Sequence, residues 1–430
     1  MKQEQETRRE FEAILSDYDK QFAWLNGLIT DPTGERYLRK KTRKQRLRDY
    51  ELVMERTTAF LVFLGNPQEQ YPSVHIAGTG GKGSVAVMTG AILQTVGFKT
   101  GVHTSPYLQV PGEKWMINRK MIPPSHLSRS ISALRLSYDV FTRAHPKQRL
   151  TYGETQVALT HQIFSRNNID IGIIETGMGG RYDPTNVLNP AVTVITNVDF
   201  DHVDQLGPTL REIAFHKAGI IKPLKPVVTG AFQRDIVRVI EKEAKQKGAP
   251  VFRLGKDFSV TVKQMNERGS TIDVQTPFHY FSDVHLGMAG TFQSENAAEA
   301  ITACDVLLHE RKREISLDEI NAALSTLQFP GRMERAQDRP TVILDGAHNP
   351  QKMKSLSETM KRTFSDQYLL VIGMLATKDV RQSLVSILPR ATTVIATEPR
   401  VVGKPSISGE EMRKIVQSIN PLLPVEVYSD

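Results

Sequence analysis

Apolar residues follow two different spacings along the chain. From residue 74 onwards, short runs that are almost wholly apolar, such as VHIA at 74–77, IDIGIIE at 169–175 and AVTVIT at 191–196, are separated by longer segments with apolar residues at helical spacing. Such runs are typical of strands that are buried on both faces. Because they alternate with helix-length segments such as 84–96, they predict an α/β fold with a mostly parallel sheet and helices on both sides.

Three other regions divide the chain further. Residues 1–50 are polar and charged, and their apolar residues at helical spacing predict a helical N-terminal extension. Short alternating segments at 251–288, around a turn-like Asn-Glu-Arg-Gly at 266–269, predict a small antiparallel insert, with a helix from about 295 to 308 after it. A second series of apolar runs follows the Phe-Pro-Gly-Arg at 329–332, so we predict one domain over 51–328 and a smaller Rossmann-like α/β domain over 329–430.

Composition narrows the class of protein. Hydrophobic residues at 40% and charged residues at 24% fit a globular protein. Cys304 is the single cysteine, which excludes an intrachain disulfide and a thiolate metal cluster. The first residues are too polar for a signal peptide, and no run of about 18 apolar residues is present to span a membrane. A cytoplasmic enzyme without a membrane partner is therefore expected.

The net charge of +8 comes from one stretch near the N-terminus. Without its eight bases, Lys and Arg equal Asp and Glu at 47 each, so a basic face over the whole chain is not indicated. We expect a solvated helix face rather than a nucleic-acid site. The eight bases are Arg36, Arg39, Lys40, Lys41, Arg43, Lys44, Arg46 and Arg48.

A glycine-rich loop between a predicted strand and a predicted helix is the first candidate site. Glycines let backbone N–H groups approach phosphate oxygens, a lysine neutralises phosphate charge and a hydroxyl can bind Mg²⁺. The alternative is a tight turn that uses glycine without binding phosphate. In the usual P-loop the hydroxyl residue follows the lysine directly, whereas here Gly83 lies between Lys82 and Ser84. With both present in this context, we favour phosphate binding by Gly78, Thr79, Gly80, Gly81, Lys82, Gly83 and Ser84.

Polar residues follow three further predicted strands. Glu175 ends a buried strand, where an acid is costly to desolvate unless it is paired or binds a metal such as Mg²⁺. His202 lies among acids after the next strand and is either a metal ligand or a surface residue. Asp345 and His348 follow the first strand of the C-terminal domain and could reach ribose or phosphate, while Asn349 and Pro350 read as a helix N-cap and first helical residue.

These segments, in this order, resemble the folylpolyglutamate synthase/dihydrofolate synthase family of the Mur ligase superfamily. The resemblance runs from about 52 to 398 and rests on LGNP (64–67), HIAGTGGKGS (75–84), TSPYL (104–108), GMGGRYDPTN (177–186), DHVDQLGPTLREIAFHKAGIIKP (201–223), FPGRMER (329–335) and DGAHNP (345–350). The residue Gly83 after the lysine also matches the family. The resemblance implies a P-loop ATP-binding and substrate domain over 51–328 and a C-terminal ligase domain over 329–430.

The resemblance also implies an activity and roles. An ATP-dependent ligase would phosphorylate a folate or dihydropteroate carboxylate to an acyl phosphate, which the amine of L-glutamate then attacks; we expect a monomer. Lys82 and the loop amides would hold ATP phosphates, Ser84 and Glu175 would bind Mg²⁺, and His202 would lie near a second Mg²⁺. Lys217 occupies the position that the family carbamylates, and a carbamate would be an oxygen ligand for Mg²⁺. Asn296 would face adenine, Arg332, Asp345 and His348 would reach phosphate or ribose, and the implied catalytic residues are Lys82, Asp183, His202 and Lys217.

Several residues depart from the family pattern. Gly80 replaces Asn in the nucleotide loop, Tyr107 replaces His in TSPHL, and Lys114 replaces the Arg of a Glu-Arg pair. Gly153 stands where Phe is usual, and Pro184 replaces Ala. Most of these changes fall in segments that line the folate pocket, where Tyr107 or Trp115 could supply the missing aromatic surface. A Mur-type ligase for a non-folate carboxylate, or a nucleotide-binding regulatory protein without ligase activity, are the alternatives. The chain also stops earlier than the family usually does, which predicts a reduced sheet in the second domain.

Overall fold

A central sheet of eight strands positions most of the candidate residues. The computed structural model describes residues 2–31, 42–364, 366–401 and 404–428. The strands are β1 (Ser73–Ala77), β2 (Thr100–His103), β3 (Trp115–Ile117), β4 (Lys120–Met121), β5 (Ile171–Glu175), β6 (Val192–Ile195), β7 (Val227–Thr229) and β8 (Val251–Arg253). Their order is β4-β3-β2-β5-β1-β6-β7-β8. β3 pairs antiparallel with both β2 and β4, and the other six strands are parallel to one another. The predicted α/β class with a mostly parallel sheet is confirmed.

Helices cover both faces of this sheet. They are α1 (Lys2–Asn26), α2 (Arg43–Phe63), α3 (Lys82–Thr95), α4 (Pro124–Ala144), α5 (Tyr152–Arg166), α6 (Val203–Leu206), α7 (Leu210–Ala218), α8 (Arg234–Lys247), α9 (Thr291–Glu310) and α10 (Leu317–Leu324). Ile173 packs into the core with α3 and α9, whereas its neighbour Ile174 packs into the core with α4 and α5. Because successive strand residues point to opposite faces, a strand with helices on both sides must be apolar throughout.

The N-terminal helices belong to the same core as the sheet. Phe22 and Leu25 of α1 are buried beside Phe60 and Leu61 of α2. α2 starts at Arg43, where the Thr42 hydroxyl accepts from the Gln45 N–H, so this helix crosses the predicted boundary between 50 and 51. Lys44 and Arg48 are exposed. The predicted basic stretch lies partly outside the described residues, at positions 32–41.

A three-stranded antiparallel sheet forms the predicted insert. Its strands are β9 (Ser259–Asn266), β10 (Gly269–Gln275) and β11 (Tyr280–Leu286), and the predicted turn at 266–269 joins the first two. The insert is shorter than predicted, because β8 pairs in parallel with β7 and so extends the central sheet. The helix after it also starts earlier than predicted, at Thr291.

The C-terminal part contains a separate small sheet. Its elements are β12 (Glu334–Asp338), β13 (Thr341–Leu344), α11 (Pro350–Thr363), β14 (Tyr368–Ile372), α12 (Val380–Ile387), β15 (Ala391–Ala396), α13 (Gly409–Ile419) and β16 (Val425–Val427). β14, β15 and β16 form a parallel sheet, and Leu384, Val394 and Met412 lie in its core. β13 pairs with β12 in an antiparallel hairpin. None of the described helices is long and apolar enough to cross a lipid bilayer.

Candidate functional site at the strand ends

Three neighbouring strands end at one edge of the central sheet and carry polar loops there. β1 lies between β5 and β6 in the sheet, and all three are parallel. The glycine-rich loop follows β1, Glu175 ends β5, and residues 196–199 follow β6. In open α/β sheets this edge is where ligands bind.

The glycine-rich loop is held by the segment that follows β6. The Gly80 N–H donates to Asn197 Oδ1 at 2.8 Å, and the Thr196 hydroxyl donates to the Gly80 carbonyl at 2.6 Å. Gly81 has a φ of 80°, and a Cβ there would lie 2.2 Å from Asn296 Oδ1. The close approach of Asn296, which is buried and donates to Gln293 Oε1 at 2.9 Å, therefore requires glycine at position 81.

The start of α3 leaves donors available for an anion. Gly81 is the N-cap and supplies no side-chain hydrogen bond, so the first N–H groups of the helix have no cap. The Lys82 ammonium donates to the Gly78 carbonyl at 3.0 Å and lies 3.9 Å from Glu175 Oε1. Uncapped amides next to a lysine form a site that suits phosphate.

Glu175 is a buried carboxylate whose surroundings fit a magnesium ion. Its Oε2 accepts the Ser105 N–H at 2.8 Å, and burial raises its pKa despite the nearby Lys82. The start of α3 lies directly beside this carboxylate, since a Cβ at Gly83 would lie 3.4 Å from the same oxygen. Among the described residues no cluster of three acidic, His or Cys side chains could hold a metal alone. Mg²⁺ needs only one or two protein ligands beside substrate phosphates, and the buried Ser84 hydroxyl and the Glu175 carboxylate are oxygen donors of that kind.

Lys217 and His202 are buried bases near this edge. Lys217 is only 3% exposed, and its ammonium makes no hydrogen bond or ion pair with any residue that the structure describes. Burial lowers the pKa of Lys217 well below its usual value, and the positive charge of Lys82 adds to this effect. Burial also lowers the pKa of His202 to about 4, although Asp201 opposes the shift. In both side chains the shift favours the neutral form, which has a lone pair available.

Asp183 is engaged in shaping its own loop. It accepts hydrogen bonds from the Met178 N–H at 2.8 Å, the Thr185 N–H at 3.0 Å and the Thr185 hydroxyl at 2.6 Å. The geometry gives Asp183 a positioning role in the loop after β5. Its predicted catalytic role remains a prediction.

The residues predicted from the C-terminal motif lie around the turn before α11. Asp345 accepts the Met333 and Ala347 N–H groups at 2.9 and 2.8 Å, and burial raises its pKa. His348 Nδ1 lies 2.7 Å from the Gly346 carbonyl. The Arg332 guanidinium donates to the Gly331 carbonyl at 2.8 Å. The predicted cap is confirmed, because Asn349 accepts the Lys352 N–H and Pro350 begins the helix.

Two lysines that the motifs did not single out connect the C-terminal part to this edge. The Lys352 ammonium lies 3.5 Å from His348 Nε2, and its Cε is 3.8 Å from the position of a Cβ on Gly80. Lys378 forms an ion pair of 2.7 Å with Asp201. Lys352 lies four residues after His348, in the first turn of α11, and this spacing could have indicated it. No sequence pattern pointed to Lys378.

Positive charge accumulates where the two parts meet. Burial and the charges of Lys82, Arg332 and Lys378 together lower the pKa of Lys352 to about 8, although Asp201 opposes the shift. An arrangement of several cations with few acids is unfavourable without an anion, so the site suits a polyanionic ligand such as a nucleotide triphosphate.

Some of the positions that depart from the family pattern lie close together in the loop after β2 and at the start of α5. Trp115 is fully buried and donates to the Thr160 hydroxyl at 2.8 Å, so the expectation that it could stack on a ligand is wrong. Tyr107 is 40% exposed and remains available. Lys114 is buried between Tyr107 and Tyr152.

The chain is similar to known proteins in both sequence and fold. The Mur ligase middle domain matches residues 76–304, and the Mur ligase glutamate ligase domain matches residues 331–430. The folylpolyglutamate synthase of Lacticaseibacillus casei is 33% identical over 75% of this chain and 76% of its own length. The structure of Mycobacterium tuberculosis folylpolyglutamate synthase with ADP has a TM-score of 0.86 and 29% identity, covering 97% of this chain and 89% of that one. A complex of a folylpolyglutamate synthase (FPGS) with AMPPCP and folate has a TM-score of 0.80 and 29% identity, covering 96% of each chain.

Proposed function

Because the chain belongs to the folylpolyglutamate synthase/dihydrofolate synthase family of Mur ligases, we propose that the edge of the central sheet and the turn before α11 together form its ligase active site. The protein is an ATP-dependent ligase that adds glutamate to a folate-type carboxylate. The residue roles below are our proposal. The observation that carries it is the contact between the two parts, where Lys352 reaches the nucleotide loop and Lys378 pairs with Asp201.

The nucleotide lies on the glycine-rich loop in this proposal. The uncapped backbone N–H groups of Gly81–Ser84, at the start of α3, bind phosphate oxygens, and Lys82 neutralises their charge. Asn296 borders the loop on the side where the adenine is expected. Arg332, Asp345 and His348 complete the site from the C-terminal part, with phosphate and ribose as their expected contacts.

The reaction proceeds in two displacements. An oxygen of the acceptor carboxylate attacks the γ-phosphorus of ATP, which gives an acyl phosphate and ADP. The amine of L-glutamate then attacks the acyl carbon, so that an amide forms and phosphate leaves. Negative charge builds up on crowded oxygens in both steps, and Lys82, Lys352 and Arg332 lower its cost.

The residues around Glu175 fit a magnesium site. Ser84 and Glu175 would hold Mg²⁺, with His202 beside a second ion, and such an ion supplies Lewis-acid stabilisation of the phosphoryl oxygens. The neutral amine of Lys217 can attack CO₂, and loss of a proton leaves a carbamate with two oxygens in place of a cation. We also propose a monomer, since both halves of the site come from one chain.

Release of phosphate from MgATP tests this function. We expect release to require both a folate or dihydropteroate and L-glutamate, and Lys82→Met to lower it at least about 100-fold, because a preorganised charge at a phosphoryl group contributes that much. Release with glutamate and a different carboxylate, but with no folate, would instead indicate a non-folate ligase. Release without any acceptor would indicate a simple nucleotidase.

A further inference from the structure

Lys114 is a buried cation with no acidic partner. It is 6% exposed and follows a loop whose first residues contact Glu175 through the Ser105 N–H. Its ammonium donates to Gln156 Oε1 at 2.8 Å and lies 3.4 Å from the Tyr152 hydroxyl. No carboxylate of the described residues pairs with it.

Two aromatic rings flank this ammonium. It lies 5.6 Å from the centroid of Tyr107 and 5.3 Å from that of Tyr152. Burial lowers the pKa of Lys114 to about 8, and Lys404 of the C-terminal part adds to the shift. Two ring faces and one amide oxygen offset only part of the free energy that burial of an ammonium costs. An anionic group of a ligand beside Lys114 would offset the rest.

The position of Lys114 separates it from the phosphate-binding cations. Its backbone carbonyl accepts the Thr104 N–H at 3.2 Å, next to the Ser105 N–H that binds Glu175. Its side chain, however, extends to Gln156 and Tyr152 on α5, on the face of the sheet that α4 and α5 cover. The carboxylate that becomes the acyl phosphate must lie beside the γ-phosphate and Lys82. Lys114 is therefore placed for a second carboxylate of the same acceptor.

We propose that Lys114, flanked by Tyr107 and Tyr152, binds the carboxylate that an already glutamylated folate keeps free while its other carboxylate is activated. Pteroate has one carboxylate, which is the one activated, whereas folate carries two on its glutamate. Lys114 is then a specificity-determining residue that favours glutamylated acceptors over pteroates. This inference rests on the proposed function and names the acceptor class of the same site.

Binding measurements with folate and pteroate test the inference without requiring turnover. Titration calorimetry of the full chain with MgADP should show that Lys114→Met weakens folate binding about tenfold, which is 1.4 kcal/mol, while pteroate binding changes less than twofold. Lys114→Arg keeps a cation and should restore most of the folate affinity. Lys120→Met, at an exposed lysine of β4, should change neither.

Steady-state kinetics separate this site from the other carboxylates of the reaction. With Lys114→Met, the KM for tetrahydrofolate should rise about tenfold while the KM values for dihydropteroate, glutamate and ATP stay within about twofold. Equal losses for tetrahydrofolate and dihydropteroate would overturn the inference and assign Lys114 to the activated carboxylate. A higher KM for glutamate with both acceptors would overturn it in favour of the incoming amino acid. Absence of turnover in the wild type with every folate contradicts the proposed function instead, while the calorimetry still decides on Lys114.

Discussion

At the scale of single residues, the proposed site contains ionisable groups whose pKa values burial shifts towards the neutral form. Lys217 is the clearest case, because it is 3% exposed and has no acidic partner among the described residues. Desolvation favours its neutral amine. A neutral amine is a nucleophile for CO₂, and the carbamate that results would replace a cation by oxygen ligands.

The variant Lys217→Arg should remove this chemistry. Arginine stays charged and cannot form the carbamate, so we expect phosphate release to fall at least about 100-fold. Carbon-13 NMR in labelled bicarbonate should show a carbamate resonance in the wild type that is absent from the variant. Lys222→Arg is the matched control, because Lys222 also has a pKa lowered to about 8 but donates to the Asn186 carbonyl at 2.9 Å. Full activity of Lys217→Arg would rule out a carbamate.

Sequence reasoning found the polar residues that follow buried strands and missed Lys352 in α11 and Lys378 in the loop before α12. Lys82 and Glu175 were predictable because a glycine-rich loop after a strand, and the carboxyl end of a buried strand, mark the edge of a parallel sheet where ligands bind. Lys352 and Lys378 look like ordinary solvated lysines in the sequence, and only the packing of the two parts brings them to the site. The burial of the Trp115 ring could not be predicted, because it depends on packing against α5 and not on any pattern in the sequence around position 115.

At the scale of elements, the strand–loop–helix unit of β1 and α3 forms the proposed phosphate site. The loop passes close to Asn296 of α9 and is held by Asn197 after β6, so its backbone is fixed before any ligand binds. The same reasoning explains why the boundaries of short elements were harder to predict. β8 has three residues, and its pairing with β7 depends on the register of the sheet rather than on any pattern within the strand.

Gly81→Ala should disrupt this unit. The alanine would adopt a left-handed φ of 80°, and its Cβ would overlap Asn296 Oδ1 at 2.2 Å. We expect a loss of about 1–3 kcal/mol of unfolding free energy and at least tenfold weaker ATP binding. Gly97→Ala is the control, since Gly97 has a φ of 99° but no atom within 4 Å of its Cβ, so strain alone should leave nucleotide affinity unchanged. Equal nucleotide affinity in Gly81→Ala and wild type, by calorimetry, would contradict this role.

At the scale of the whole molecule, the ion pair between Asp201 and Lys378 joins the two parts at the proposed site. Asp201 and Lys378 are 12% and 11% exposed in their side chains and 2.7 Å apart. Although burial alone would raise it, the pKa of Asp201 is held below its usual value by His202 and Lys378. A carboxylate with a depressed pKa stabilises the fold above its unfolded pKa of about 3.9, and this contribution disappears as the pH falls through the folded value.

The effect of Asp201→Asn on stability should therefore depend on pH. We expect the variant to lower Tm by about 2–6 °C between pH 5 and 8, because it leaves Lys378 without its partner. The difference should shrink below about pH 4, because the carboxylate of the unfolded wild type is protonated first, and it should vanish only as the pH falls through the folded pKa of Asp201. Asp235→Asn is the control, since its pairs with Arg211 and Arg238 are more than half exposed. A Tm difference at pH 3 as large as at pH 7 would show that the loss is not electrostatic.

The net charge of +8 is a property of the whole chain and does not describe the proposed site. Four of the bases that produce it, Arg43, Lys44, Arg46 and Arg48, belong to α2, and the other four fall outside the described residues. The proposed site instead collects its positive charge from single residues such as Lys82 and Lys352. Deleting the N-terminal helices would remove Phe22 and Leu25 from the core, so neutralising substitutions are the better test of the basic stretch.

Transfer of oxygen from the acceptor to phosphate tests the ligase chemistry most directly. The acceptor carboxylate is labelled with ¹⁸O, MgATP and L-glutamate are added, and the released phosphate is analysed by mass spectrometry. An acyl phosphate pathway predicts one ¹⁸O atom in each phosphate, because the carboxylate oxygen that attacks the γ-phosphorus leaves with it. Phosphate without label would contradict ligation through an acyl phosphate and would indicate hydrolysis of ATP by water.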